Sequence, residues 1–566
     1  MQLREQLIDG LKQFGALRAE ELLEVPVDRT KGDFALPCFT FAKELKANPM
    51  QLAQQYAADI MQALPVGVER VEATGPYINF FYAPWFLANQ VIGEVLDTGK
   101  QYGQGAATWQ TWLVEGRQPN THKVFHIGHL RNALISEAIA TLLETAGHKV
   151  VRCSYMGDIG AHVAKWVWYY TNFSNAPIPD THVSERAGEL YALATEKVGE
   201  DKERFGAEIH AIHKRLEEGD PTLVPLWKET AAKCLEDMHA INAELWSAID
   251  REYLESEVEK PGIELVKQLA ATGKGGVHES EWALIVNLEE YNLWVFVLLK
   301  SNGASLYSTK DLALAYLKQR EYKFDASLFV VATEQIHHFN QLFKTLELIG
   351  YEGAEHLEHV AYGMVELPTG KMSSRDGNVI TYYTFRDRLL EIATTLIANR
   401  NISDDEKERL ARAVAFGAMK FSFLLPDTFK KIIVDPEQAV SFDGETWPYI
   451  QYTHARCCSL LSKAGRTEWK TRSPDLLQTT QEKQLLLHLA DFPSLVQRAA
   501  REYKPNMIAR FALELAHLFN TYYQAEQVML ADNPELTHAR CALVATTKQV
   551  LANALKILGI EAVERM

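Results

Sequence analysis

No unbroken apolar run in this chain is longer than Leu293 to Leu299, far short of the ~20 residues a bilayer-spanning helix requires. No signal peptide is legible either, because Glu5 and Asp9 interrupt Met1–Leu11 and no apolar segment follows. Cysteine is scarce. The six present (Cys38, Cys153, Cys234, Cys457, Cys458 and Cys541) form no CxxC pair, and adjacent Cys457–Cys458 would make a strained disulfide. Reduced thiols in a cytoplasmic protein are therefore expected. Positive charge is in deficit: 58 Lys and Arg stand against 74 Asp and Glu, a net of -16 with pI ≈ 5.6. That excludes a nonspecific polyanion binder without excluding a local basic path. Internal repeats and low-complexity tracts are missing. The composition, 47% hydrophobic and 23% charged, excludes collagenous and fully disordered chains. What is there is a globular chain of 566 residues, enough for about three or four domains.

The charge deficit is uneven. Residues 1–110 carry 9 basic and 13 acidic residues and residues 391–566 carry 21 of each, so the acidic excess lies in the middle, much of it between Ser184 and Lys260. Residues 1–108 read as a small α/β domain, with helical patterns at Met1–Leu11 and Met50–Leu64 and a strand at Ile78–Tyr82 introduced by Gly75-Pro76. From Thr111 the texture changes to short apolar runs followed by long helices. Thr111–Val114, a helix from Gly128 to Gly147 and a strand at Lys149–Ser154 make a βαβ unit, whose parallel strands require a right-handed crossover. Residues from about 171 to 275 read as almost wholly helical and acidic, like an insertion. Strands at Ala283–Leu288, Val295–Lys300 and Leu328–Ala332 are expected to complete an α/β, doubly wound, Rossmann-type sheet within residues 109–383. From Thr384 onward apolar stripes recur at helical spacing, predicting an all-α domain over 384–566.

Two motifs carry chemistry. Pro119-Asn120-Thr121-His122-Lys123-Val124-Phe125-His126-Ile127-Gly128-His129 lies where the first strand turns into the first helix. Ligands of an open parallel sheet sit at the carboxyl ends of its strands, and a helix amino terminus offers free amides and partial positive charge to phosphate. His126 and His129 are three apart and can face one phosphate, while Gly128 leaves room for a flat base against its backbone. Alone, this motif is equally explained by a helix start that happens to hold two histidines. The second motif, Gly370-Lys371-Met372-Ser373-Ser374-Arg375-Asp376-Gly377-Asn378, places two cations among small hydroxyl residues in a glycine-bounded loop. Such a loop suits a clamp on a departing pyrophosphate, acting as charge develops. In isolation it is more often a solvated basic turn.

Together the two motifs resemble the HIGH and KMSKS signatures of the class I aminoacyl-tRNA synthetases, and nearly the whole chain resembles the arginyl-tRNA synthetases. The likeness extends to Gly32-Asp33-Phe34-Ala35 and Gly75-Pro76-Tyr77-Ile78-Asn79-Phe80-Phe81 near the amino terminus. It includes Gly157-Asp158-Ile159-Gly160, Leu306-Tyr307-Ser308-Thr309-Lys310-Asp311, Glu334-Gln335-Ile336-His337-His338-Phe339 and Tyr449–Arg456. The resemblance implies a Rossmann-type catalytic domain with a helical insertion, an N-terminal domain that meets the tRNA elbow, and a helical anticodon-binding domain. It implies ATP-dependent activation of L-arginine to arginyl-adenylate and transfer to the 3′ end of tRNA(Arg), by a cytoplasmic monomer. The only metal implied is Mg²⁺ carried by ATP. His337-His338 has only Glu334 at ligand spacing, so hydrogen bonding is the better reading than zinc.

By the same resemblance, His126, Gly128, His129, Lys371, Met372, Ser373 and Ser374 would bind ATP. The catalytic set would be His126, His129, Lys123, Lys371 and Arg375, with Lys123 standing in for the second lysine of KMSKS, which is Ser374 here. That exchange implies that tRNA is needed even for activation. Glu115, Gln118, Asn120, Glu255, Tyr307, Asp311 and Gln335 would surround arginine. Tyr307 and Asp311 are four apart on one helix face, and a carboxylate beside a phenol suits the fork of a guanidinium. Tyr77 and Asn79, on one strand face, would meet the tRNA elbow. Trp447, Tyr449, Tyr452 and Arg456 would offer a stacking surface to anticodon bases, with helix-core packing as the alternative. Two departures from the family stand out: Gln118 replaces its usual Ser, and His162 and Val163 replace Gln and Phe. Rival readings are another class I specificity, a small nucleotidylyltransferase, which would not need the helical third, and a catalytically weak synthetase-like tRNA-binding protein. Intact His126, His129, Lys123 and Lys371 weigh against the last.

Overall fold

The computed structural model describes residues 3–14, 18–26, 28–174, 176–367, 370–371, 379–439, 447–465, 469–470 and 473–565, with the backbone alone at Leu367, Lys371 and Pro436. Its central sheet has five parallel strands in the order Leu357–Tyr362, Ala326–Ala332, Thr111–Glu115, Lys149–Met156, Arg251–Leu254. The chain builds outward from Thr111–Glu115 on one side, then jumps to the other, so the order reverses between Thr111–Glu115 and Ala326–Ala332. A ligand crevice opens at such a switch point. Asn132 bridges it: its Nδ2 donates to Val330 O at 2.6 Å, and its Oδ1 accepts from the Arg117 N–H. The helix carrying Asn132, Ile127–Thr145, is buried along most of its length, as a helix without a solvent face must be apolar nearly all round.

Three expectations are corrected here. Ala283–Asn287 and Val295–Lys300 do not join the central sheet. They pair antiparallel with each other, and His278–Ser280 completes a separate three-stranded sheet. The short link between them permits only antiparallel pairing, since a parallel partner needs a long crossover. The almost wholly helical stretch 171–275 is not an insertion throughout. Its helices Val183–Glu200, Lys202–Glu217 and Leu223–Glu244 are followed by Arg251–Leu254, the edge strand of the central sheet. Four residues, two of them charged, give too weak a strand pattern to read. Among the described residues beyond 384 the one strand is Ile432–Ile433, which pairs in parallel with Val365–Glu366 and ties that helical region back to the chain that follows the central sheet.

At the amino terminus, the antiparallel strands Phe34–Pro37, Tyr77–Tyr82 and Val68–Thr74 pack with helices Leu3–Leu11 and Pro49–Gln62. This unit leans on the helical third: Arg29 pairs with Asp491 at 2.6 Å, Lys483 with Asp33 at 3.1 Å, and Tyr102 Oη donates to Leu489 O at 3.0 Å.

Candidate active site

Helix Ile127–Thr145 starts at His126 in a reciprocal cap. His126 Nδ1 accepts from the Gly128 N–H at 3.0 Å, and His129 Nδ1 accepts from the His126 N–H at 3.3 Å. Backbone amides only donate, so both Nδ1 atoms are acceptors and the proton of each neutral ring sits on Nε2. The rings stack with centroids 3.9 Å apart. Burial pushes His126 down to about 4 and His129 well below its ordinary value, and the nearby Lys123 ammonium lowers both further. At neutral pH the pair is thus two N–H donors without charge. Lys123 lies 5.3 Å from the Tyr191 ring.

The backbone on both sides of residues 372–378 is fastened to this helix. Downstream, Ile127 N–H donates to Ile380 O at 3.2 Å, Tyr382 N–H donates to Phe125 O at 2.9 Å, and Thr381 bridges His126. Upstream, the fully buried Arg131 donates to the carbonyls of Gly363 and Met364, and also to those of Thr428 and Lys430. Burial lowers Arg131 only to about 10, so it remains a cation. Gly370–Lys371 pairs antiparallel with Glu366–Leu367. The Lys371 side chain and the predicted Met372, Ser373, Ser374 and Arg375 lie outside the described residues.

Beyond the strand ends, four carboxylates gather, each with a partner already. Glu115 receives the buried Lys318 ammonium on one oxygen and Gln118 Nε2, at 2.6 Å, on the other. Glu255 pairs with Lys310, both nearly out of solvent. Asp311 meets His338 Nε2 at 2.7 Å. Asp158 accepts from Ser256 N–H at 2.9 Å and Ser256 Oγ at 2.6 Å. Burial raises the carboxyls of Asp158 and Glu255. Among them stands Tyr155, raised first by burial and then by Asp311, Glu255, Glu115 and Asp158; its buried hydroxyl has no hydrogen-bond partner. Asn120 forms a bridge with Gly157. A Cβ at Gly157 would come 2.2 Å from Asn120 Oδ1 and 3.5 Å from Glu255 Oε1, so only glycine lets these two carriers approach. Tyr307 opens helix Tyr307–Tyr322 at the rim, 65% exposed. Gln335 is exposed and ends the turn Thr333–Gln335 beyond strand Ala326–Ala332.

Sequence reasoning missed Tyr155, Lys310, Lys318 and Arg131. The two lysines did leave a trace, as cations in a helix whose neighbours Leu312, Ala313, Leu314 and Ala315 are buried. Two candidates for tRNA contact are corrected. Trp447 is 1% exposed, its indole lying where Gly417 lacks a side chain, so it is core and not a platform. Asn79 is 3% exposed, because both faces of the strand Tyr77–Tyr82 are covered beyond its first residue. Tyr77 packs edge-on to the exposed Phe39 at 5.7 Å, and Tyr449 lies against His517 at 4.7 Å. Tyr452 and Arg456 do share a surface. The Arg456 guanidinium sits 4.6 Å from the Tyr452 ring and 4.8 Å from that of Tyr523, held by Asn520 at 2.6 Å.

The chain matches three family models: the arginyl tRNA synthetase N-terminal domain over residues 1–82, the catalytic domain of class I tRNA synthetases of the arginine type over 91–433, and the DALR anticodon-binding domain over 450–566. It is 33% identical to an arginine–tRNA ligase of Clostridium acetobutylicum, covering 96% of each chain. It is 35% identical to one of Bdellovibrio bacteriovorus, covering 94% of this chain and 92% of that one. The arginyl-tRNA synthetase of Thermus thermophilus superimposes with a TM-score of 0.82 at 27% identity, over 100% of this chain and 99% of the other.

Proposed function

The chain belongs to the arginyl-tRNA synthetase family, and as an arginine–tRNA ligase we propose that it handles ATP at His126, Gly128 and His129 and L-arginine among the carboxylates around Tyr155. In activation, the arginine carboxylate attacks the α-phosphorus of ATP and pyrophosphate leaves. The Nε2–H groups of His126 and His129 donate to phosphate oxygens. Lys371 follows the departing pyrophosphate with Met372, Ser373, Ser374 and Arg375 around it, and Lys123 supplies the cation that Ser374 does not. In transfer, the terminal ribose 2′-OH of tRNA(Arg) attacks the activated carbonyl and AMP leaves. The guanidinium lies between Tyr307 and Asp311, Asn120 meets the α-amino and carboxylate end, and Glu115, Gln118, Glu255 and Gln335 complete the enclosure. We assign tRNA binding to residues 1–108 and 384–566, and a cytoplasmic, monomeric state to the whole.

The observation that carries this reading is the fastening of the chain on both sides of residues 372–378 to the helix that His126 begins. Hydrogen bonds from Arg131 to Gly363 and Met364 hold one side and those at Ile380 and Tyr382 hold the other, so residues 371–375 and the histidines serve one ligand. Arginine-dependent exchange of pyrophosphate into ATP tests it. Lys371→Ala is expected to lower kcat by ~10²-fold or more with KM for arginine little changed. Equal losses in both would contradict the clamp. Exchange at full rate without tRNA would contradict the replacement of the second lysine by Lys123.

A further inference from the structure

The link between strands Ala283–Asn287 and Val295–Lys300 is fastened to helix Ile336–Leu348 along one helix face. His337 lies 5.3 Å from the Trp294 ring, Gln341 Nε2 donates to Leu293 O at 2.7 Å and to Val295 O at 3.3 Å, and the Lys344 ammonium lies 4.6 Å from the Tyr291 ring. Positions 337, 341 and 344 follow the helix's own repeat. Buried Gln341 thus grips the carbonyls on either side of Trp294, whose φ is 57°, a left-handed conformation that bulky side chains rarely adopt. Yet the indole is 72% exposed, so its own packing does not offset the strain. Strain of this kind gathers at functional positions. Two residues on, Phe296 lies 5.6 Å from His338, which holds Asp311. Trp294 therefore stands one strand repeat from the wall of the arginine pocket.

We propose that Trp294 and His337 form a stacking surface for the unpaired 3′-terminal base of tRNA. The proposal rests on the assignment of the Asp311 pocket above. A single base–aromatic stack gains roughly 5- to 160-fold in affinity, too little to hold a free nucleotide on an open surface but enough to place one end of a ligand anchored elsewhere. A tRNA bound at its elbow and anticodon is such a ligand, and its 3′ end has to reach the activated carboxyl.

The test measures binding of tRNA(Arg), and of the same tRNA lacking its 3′-terminal adenosine, to the wild-type protein, Trp294→Phe and Trp294→Gly, with KM for ATP alongside. Wild type and Trp294→Phe are expected to favour the intact tRNA about tenfold. Trp294→Gly is expected to bind both tRNAs alike at an unchanged KM for ATP, and to melt no lower than wild type, because glycine accepts the left-handed backbone. A wild-type preference that survives in Trp294→Gly overturns the proposal. So does a rise in KM for ATP with that preference intact, which would make the surface an adenine site for the nucleotide. Failure of the wild-type protein to charge any tRNA with arginine would instead overturn the pocket assignment itself.

Discussion

At one end of the site, imidazoles are held neutral by burial and oriented by backbone amides, whereas at the other, each carboxylate already has a partner of its own. His126 and His129 spend their Nδ1 atoms on the helix start and keep Nε2–H for a ligand. Glu115 and Glu255 each hold a buried lysine, and Asp311 holds His338. On the proposed assignment of ATP to the first end and arginine to the second, the contrast follows from what arrives. ATP brings several negative charges, which neutral donors and a helix terminus can order without a large desolvation cost. Arginine brings one delocalised cation, and unpaired buried carboxylates awaiting it would be costly. Pairing removes that cost, so discrimination at the amino-acid end rests on the directions of the remaining lone pairs rather than on net charge.

Removing a partner cation at the amino-acid end is therefore expected to have the largest effect. Lys318→Met strands Glu115 in a site where both groups are under 3% exposed. A loss of about 3–5 kcal/mol in unfolding free energy is expected. The double variant Glu115→Gln, Lys318→Met should recover most of that stability while remaining unable to bind arginine. A double variant as unstable as the single one would break the comparison, because it would mean that packing of the lysine stem and not charge pairing governs the site.

The phosphate end responds in rate and not in stability. His126→Asn keeps a side-chain acceptor for the helix start but loses the Nε2–H donor. A fall in kcat of ~10²-fold, with melting unchanged, is expected for loss of one preorganised donor. Steady-state exchange kinetics and a thermal melt decide it, and a large drop in melting temperature would show that His126 is mainly a cap.

The difference between the two ends also explains what could be read in advance. His126, Gly128 and His129 are contiguous on one helix start, so sequence spacing already fixes their geometry. The amino-acid end is assembled from Glu115, Tyr155, Glu255, Asp311 and His338, on five separate elements, and nothing local links Lys318 to Glu115 across 203 positions. Tyr155 was invisible for the same reason: an aromatic at a strand end reads as core until its neighbours turn out to be carboxylates. In the fold, the βαβ unit was legible because its strands are apolar and its helix long. Arg251–Leu254 was not, because an edge strand packs on fewer neighbours and tolerates charge. Periodicity marked Trp447 and Tyr452 equally, and only the burial of one and exposure of the other separates them.

Acid should pull the two ends in opposite directions. Burial pushes His122 down to about 3 and His126 to about 4, so below pH ~6.5 the unfolded chain takes up their protons first. Each then withdraws about 1.4 kcal/mol of stability per pH unit until its folded value is reached. Glu255 and Asp158, raised by burial, are protonated first in the folded protein, so they add stability as pH falls through the window just above their ordinary values. Urea unfolding at pH 7.5, 6 and 5 separates the contributions. His122→Gln should flatten the decline by one proton, and Glu255→Gln should steepen it. An unchanged slope in His122→Gln would mean that this imidazole is not held neutral.

The smallest effect is expected at Gln118, which touches the amino-acid end through one hydrogen bond to Glu115. Its Nε2 occupies one lone pair of Glu115 Oε1, and Lys318 occupies the other oxygen. A carboxylate oxygen has two lone pairs, so Glu115 keeps an acceptor direction for arginine while both neighbours hold it still. Serine is too short to reach it. Gln118→Ser therefore costs one neutral donor, about 1 kcal/mol, which appears as a rise in KM for arginine of about fivefold at constant kcat. A fall in KM would reverse the sign of the argument, since it would show that Gln118 competes with arginine for Glu115 instead of aiming it.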